Sequence, residues 1–243
     1  NYILYNEYNN FKKTYSGMTN NFDRIRTHLG KAELVAVTKY SPVEDLFLAY
    51  EIGQRDFGEN RVKDLEAKAQ AFLEKGFHDV RWHFIGNLQS NKLNQLLKIK
   101  NLYSIHSIDS FKLLEKLYEK ATQLLKERNL SFFLQFKTSD EDEKSGFNSK
   151  DEVYQALRFI KGKEKEKNFL NFLGFMTMGK FRTDNFEEDA ARCFQNLVDL
   201  RDSVLNDFSF EEIKLSMGMS KDYKIALAHG SDFVRVGSAL FSS

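Results

Sequence analysis

Short apolar runs alternate with longer amphipathic stretches along almost the whole chain, and few folds accommodate that order. The runs are LVAVTK (34–39), RDFGEN (55–60), RWHFIG (81–86), LYSIHSI (102–108), LSFFLQFKT (130–138), NFLGFMTM (171–178), EIKLSMG (212–218) and DFVRVG (232–237). Runs of this length and composition predict strands. Between them, VEDLFLAYEIG and RVKDLEAKAQAFLEKG carry apolar residues at helical spacing and close on Gly53 and Gly76, where a helix C-terminus favours glycine. SFKLLEKLYEKATQLLKERN opens on Ser110, a good N-cap, with Asp109 just before it; residues 187–204 and 222–228 supply two more helices. Strand–helix alternation calls for parallel strands joined by right-handed crossovers. About eight such units after an N-terminal helical stretch predict an α/β chain, a single (β/α)8 TIM-type barrel with an extra N-terminal helix. Residues 1–243 are expected to form one domain. A doubly wound open sheet is the alternative, but no GxGxxG follows the first run.

Composition narrows the function classes. Lys+Arg 36 against Asp+Glu 35 leaves a formal charge of +1, which gives no support for a nucleic-acid or membrane surface. No stretch approaches the roughly 18 apolar residues of a membrane span. The opening NYILYNEYNNFKKTYSG lacks the basic-then-apolar order of a secretory signal. Cys193 is the only cysteine, so no internal disulfide forms and a reducing, cytoplasmic setting is expected. It reads as a small core residue. Pro42 is the only proline, and no Pro-rich hinge divides the chain. The run SDEDEKSG (139–146) reads as a solvated loop after the fifth strand and KGKEKEKN (161–168) as an exposed helix end.

The unusual polar residues fall at the ends of the runs. Lys39 closes the first and Asn60 follows the second; His83 lies in the third and His106 near the end of the fourth. Thr138 ends the fifth, Met176 and Met178 the sixth, Ser216 the seventh, and Arg235 with Gly237 the eighth. A parallel barrel gathers all C-terminal strand ends on one face, where active sites sit. Residues from 39 to 238 therefore converge on one small-molecule site. His83 and His106 read equally as hydrogen-bonded core histidines, and His28, His78 and His229 as surface residues. WHF and SIHS do not have the spacing of a metal-ligand cluster, so no metal is expected.

In RVGSALF, Arg235, Gly237 and Ser238 precede a short helix, and glycine and serine N–H groups there suit a phosphate. Ser216 and Gly218 in LSMGMSKD are further donors, since barrel phosphate sites often lie after the seventh and eighth strands. A phosphate opposite Lys39, an ammonium at the end of an apolar strand, suggests Schiff-base chemistry. The partner is either a substrate sugar, as in aldolases, or pyridoxal phosphate.

AVTK (36–39), FGEN (57–60), WHFIGNLQSNK (82–92), SIHSID (104–109) and LSMGMSKDYKIALAHGSDFVRVGSALF (215–241) resemble, in order, the motifs of the pyridoxal-phosphate homeostasis protein family. The resemblance implies a barrel similar to the N-terminal domain of alanine racemase, binding pyridoxal 5′-phosphate without established catalytic turnover. It implies that Lys39 forms the internal aldimine and that Arg235 faces the pyridine nitrogen. Ser216, Gly237 and Ser238 would hold the phosphate, and Asn60, His83 and Met217 would line the pocket. Lys39, near Arg235 at the end of an apolar strand, is expected to present a neutral amine. An arginine cannot accept a proton, so the ring opposite it is a poor electron sink and a carrier of vitamin B6 is the expected function. Apo pyridoxal-phosphate enzymes are the expected recipients and a monomer the expected state.

The alternative is a racemase-like enzyme, which needs a second acid/base group on the opposite face of the cofactor. In alanine racemase that tyrosine comes from the other subunit of a dimer with a C-terminal β-domain. This chain ends soon after its last strand, so no catalytic residue is expected. The chain also departs from the family pattern. Asn87 stands where proline is common, GFMTMGKF follows the sixth strand, and QFKTSDEDEKSGF follows the fifth. There strand alternation would point Lys137 opposite to Thr138.

Overall fold

The computed structural model describes residues 15–125, 128–139, 145–164, 169–179 and 183–241. The first fourteen residues, the middle of the acidic run at 140–144, the end of KGKEKEKN and the KF of GFMTMGKF lie outside them. Helix α1 covers 15–26. The eight strands are β1 (Glu33–Val37), β2 (Asp56–Glu59), β3 (Arg81–Phe84), β4 (Leu102–Ile108), β5 (Leu130–Gln135), β6 (Leu170–Met176), β7 (Lys214–Ser216) and β8 (Phe233–Val236). Each pairs in parallel with the next, and β8 pairs with β1, so the sheet closes into the expected barrel. The crossovers are α2 (Val43–Glu51), α3 (Val62–Glu74), α4 (Leu93–Leu97), α5 (Phe111–Leu124), α6 (Lys150–Lys163), α7 (Phe186–Asp207) and α8 (Tyr223–Ala228); α9 (Ser238–Phe241) follows β8.

Local chemistry sets these boundaries. Ser110 Oγ accepts from the Leu113 N–H at 3.4 Å and starts α5. Ser149 Oγ accepts from Glu152 N–H at 3.2 Å, satisfying one orphan donor of α6, while the Glu152 carboxylate accepts from Asn148 N–H, just before the cap, at 2.8 Å. Gly53 stops α2 with φ +91° and donates to Tyr50 O at 2.9 Å, the left-handed ending the sequence suggested. The apolar runs overrun several strands, most clearly the fifth. β5 ends at Gln135, and Phe136 bridges to Phe147 instead of continuing the ladder. A one-turn helix, α4, also stands between β3 and β4, too short for its periodicity to be read.

The alternation of β1 divides the core in two. Leu34 and Ala36 face the helices; Val35 faces the barrel axis, where it packs with Phe133, Met176 and Phe233. Under α2 and α3 the outer layer is aromatic: the Phe72 ring lies 5.1 Å from Phe47, 5.5 Å from Phe57 and 5.2 Å from Trp82. Offset and edge-on contacts of this kind add about 0.5–1.5 kcal/mol each to the burial term. Cys193 is buried on α7, as its small-core reading required. Among the described residues, no helix is long and apolar enough to cross a membrane.

Candidate functional site

Register assembles the rim at the C-terminal face. Ala36 pairs with Phe57 on one side and Val236 on the other, so β1 lies between β2 and β8. Following those ladders beyond the strands brings Lys39, Asn60 and Gly237 to one sector of the rim. Lys39 lies two residues beyond Val37, the last residue of β1. It does not end a buried strand. β1 stops at Val37, Thr38 is buried, and Lys39 sits in a turn with its side chain exposed and its Nζ 5.0 Å from the centre of the Tyr40 ring. The desolvated lysine expected from ELVAVTK is therefore corrected to a solvent-facing amine at the mouth. Tyr40 is 86% exposed beside it.

What is buried at this end is the pair beneath. The Glu59 carboxylate, wholly buried, accepts from Lys68 Nζ at 2.6 Å, Thr38 Oγ1 at 3.0 Å and Asn60 N–H at 2.8 Å. Lys68 Nζ donates also to Thr38 O at 2.7 Å. One ion pair thus fixes the backbone before Lys39 and the backbone of Asn60. Gly86, after β3, completes the arrangement: a Cβ there would lie 1.9 Å from Asn60 O, so only glycine lets the two loops meet.

Inside the barrel runs a chain of polar side chains. Arg235, 3% exposed, donates through Nη1 to Ser216 Oγ at 2.6 Å and through Nη2 to Thr177 O at 2.8 Å. Ser216 Oγ lies 2.8 Å from His106 Nδ1, and His106 Nε2 lies 3.0 Å from His83 Nδ1. His83 Nδ1 is also 2.8 Å from Ser104 Oγ, and its Nε2 is 2.9 Å from Asp56 Oδ1. Arg81 closes the floor on Asp56, at 2.5 Å, and on Glu33, at 2.8 Å. Burial, then the fields of His83 and Arg235, hold His106 well below the usual imidazole range. Burial pulls Arg235 down to about 10, against the favourable field of Asp222, which still leaves it charged at neutral pH. Burial raises the Asp56 carboxyl, but hydrogen bonds and charge from His83 and Arg81 outweigh it and leave the carboxyl low.

Two residues named for the pocket are placed otherwise. Met217 follows the inward Ser216 and so points outward, into the core between sheet and helices; it does not line the mouth with its side chain. Ser216 was expected at a phosphate, but its buried hydroxyl is committed to Arg235 and His106. The hydroxyl beside Gly237 is that of Ser220, which accepts from the Gly237 N–H at 3.2 Å. The N–H groups of Ser238 and Ala239 have no acceptor among the described residues. His83 lies inside the barrel, not at its lip, and the core reading of both histidines holds. β5 ends before Lys137 and Thr138, and both border a cleft of about 610 Å³ with Asn148, Lys150 and Asp199. Sequence reasoning missed Ser220, Glu59 and Lys68. Ser220 was visible as the second serine of LSMGMS, at the turn instead of the strand end.

Comparison with known proteins agrees with this architecture. Residues 15–243 match the family described as the alanine racemase N-terminal domain. The pyridoxal phosphate homeostasis protein of Schizosaccharomyces pombe is 40% identical over 210 residues, covering 86% of this chain and 83% of its own. PipY of Synechococcus elongatus, solved without and with pyridoxal phosphate bound, superposes with a TM-score of 0.81 at 28% identity, covering 93% of this chain and 100% of its own. Alanine racemase of Clostridium difficile shares the fold alone, with a TM-score of 0.73 at 16% identity over 94% of this chain and 60% of its own.

Proposed function

The chain belongs to the pyridoxal phosphate homeostasis protein family, and we propose that it holds pyridoxal 5′-phosphate at the barrel mouth, attached to Lys39, as a carrier and buffer of vitamin B6. The donor set suits such a ligand. An amine stands on the rim at Lys39, and a buried guanidinium lies below at Arg235. Ser220 Oγ and the uncommitted N–H groups of Ser238 and Ala239 suit a phosphate, with Asn60 alongside. Bound there, pyridoxal phosphate supplies an aldehyde that can join an amine and a ring that can draw electrons from a bonded amino acid.

The observation that carries the proposal is Arg235. Two of its five N–H groups are fixed on Ser216 and Thr177, so the remaining donors are held in place. Facing the ring nitrogen of the cofactor, this guanidinium would donate and could not accept, which would leave that nitrogen unprotonated and weaken the electron sink. A weaker electron sink would slow amino-acid chemistry on the cofactor, which supports a holding role, with apo-enzymes of the same cofactor as the recipients. A monomer in the cytoplasm remains our reading of its state and place.

The test is the absorption spectrum of the protein incubated with pyridoxal phosphate, before and after borohydride, with peptide mapping. A visible band that disappears on reduction, with a phosphopyridoxyl group on Lys39 and none in Lys39→Ala, is the expected result. Adduct spread over several lysines, or none, overturns the assignment. Racemisation of alanine by the loaded protein would overturn the carrier reading and leave the ligand in place.

A further inference from the structure

We infer that the buried polar chain runs in one donor direction, Arg235 to Ser216 to His106 to His83 to Asp56, and that His106 and His83 are positioning residues for Arg235. The bookkeeping starts at the cation. Arg235 can only donate, so Ser216 Oγ accepts from it, and the single serine proton is left for His106 Nδ1. A neutral His106 that accepts at Nδ1 carries its proton on Nε2 and donates to His83 Nδ1. His83 then holds its proton on Nε2 and gives it to Asp56, a carboxylate that can only accept. Ser104 Oγ lies 2.8 Å from the same His83 Nδ1 and shares it with His106, so that contact does not fix the sense. Each link meets a group of the opposite capacity.

The reverse sense leaves a proton unmatched at Ser216 and demands a second proton at His83 if the bond to Asp56 is kept. His106 with its proton on Nδ1 would donate to Ser216, leaving the serine proton facing a guanidinium with no acceptor. His83 would have to donate from Nδ1, so it would either lose its bond to Asp56 or take a second proton. Aromatic rings pack against both: Phe133 and Phe233 flank His106, while Tyr103 and Phe233 flank His83. The nearby charges are Arg235 above and Asp56, Arg81 and Glu33 below. The chain starts at Arg235 in β8, passes Ser216, the last residue of β7, and ends at Asp56, the first residue of β2, so it spans the barrel from mouth to floor. A fixed sense holds the guanidinium charged and in one plane, with its free N–H groups constant in direction. The positioning role rests on reading the mouth as a pyridoxal phosphate site; the direction of the chain does not.

The experiment is imidazole ¹⁵N NMR of the ligand-free protein, with His83 and His106 assigned by single substitution. His106 is expected neutral with its proton on Nε2, unchanged from about pH 5.5 to 8.5, and His83 is expected to carry its proton on Nε2, toward Asp56. An imidazolium at either position, or a proton on His106 Nδ1, overturns the inference, and the unaltered protein alone decides this. In Asp56→Asn the amide can donate to His83, and the His106 tautomer is expected to change although the two residues do not touch. Ser104→Ala is expected to leave both tautomers as they are. Pyridoxal phosphate is expected to bind Asp56→Asn about tenfold more weakly, the scale of one charged hydrogen bond. A folded Asp56→Asn protein that changes only at His83 and binds normally overturns the positioning role. Failure of the unaltered protein to bind pyridoxal phosphate would instead remove the ligand reading and leave the tautomers standing.

Discussion

The ammonium of Lys68, on α3, donates to the backbone carbonyl of Thr38 at 2.7 Å, so a helix that follows the second strand holds the residue preceding Lys39. The same ammonium neutralises Glu59. Removing one partner of a buried pair strands the other charge and costs about 3–5 kcal/mol. Lys68→Met should lose stability on that scale in urea titrations, and adding Glu59→Gln should recover most of it. A loss within experimental error for Lys68→Met alone would mean that Glu59 is hydrated in solution.

Gly86→Ala tests the contact between the loops after β2 and β3. The new methyl would overlap the Asn60 carbonyl, and overpacking of this kind costs about 1–3 kcal/mol. Because Asn60 is at the rim, pyridoxal phosphate affinity should fall together with the urea midpoint. An unchanged midpoint would show that the loops separate freely.

The two serines of LSMGMS should behave differently on truncation. Ser216→Ala leaves Arg235 and His106 short of a buried partner and should cost about 1–3 kcal/mol of stability. Ser220→Ala removes a half-buried hydroxyl at the turn, and should leave stability nearly intact while weakening pyridoxal phosphate by about 1.5–3 kcal/mol, as for a bond to a charged group. Equilibrium unfolding and fluorescence titration of both variants separate the two. An unchanged affinity in Ser220→Ala would remove it from the phosphate site.

His106 predicts the acid limb of stability. Its folded pKa is depressed, so below the ordinary imidazole pKa the unfolded chain binds a proton that the folded chain refuses. Stability is therefore full above about pH 6.5 and falls by about 1.4 kcal/mol per pH unit below it. Asp56 works in the same sense in a lower window: its depressed carboxyl contributes above the unfolded value of 3.8 and is lost as pH falls through the folded one. A His106→Asn protein should show a flatter profile between about pH 6.5 and 5. An equal slope in both proteins would place the proton uptake elsewhere.

The barrel was legible because each strand is a short apolar run and each crossover an amphipathic one, so local pattern and global topology agree. Lys39, Asn60, Arg235 and Gly237 could be placed on one face by topology alone. Side-chain direction was harder. Met217 and Ser216 are adjacent, and only the strand parity, fixed by where β7 begins, decides which points inward. The contacts among His83, His106, Ser216 and Arg235 join β3, β4, β7 and β8 across the closed barrel, and no spacing along the chain encodes them. Glu59 and Lys68 are nine residues apart and read as ordinary charges until α3 folds back over β2. Exposure of Lys39 was missed because β1 stops two residues early, at Val37.

That early stop separates two kinds of evolutionary freedom. Lys39 and Tyr40 belong to no packed layer, so exchanging either leaves the interior untouched and costs the scaffold little. Arg235 and its partners have no such latitude, since each is sealed in and answers to its neighbours. Substitutions at the lip can therefore accumulate independently and retune what the lip grips, while the interior can change only through coordinated replacements. Divergence among barrels of this kind should be read first around their mouths.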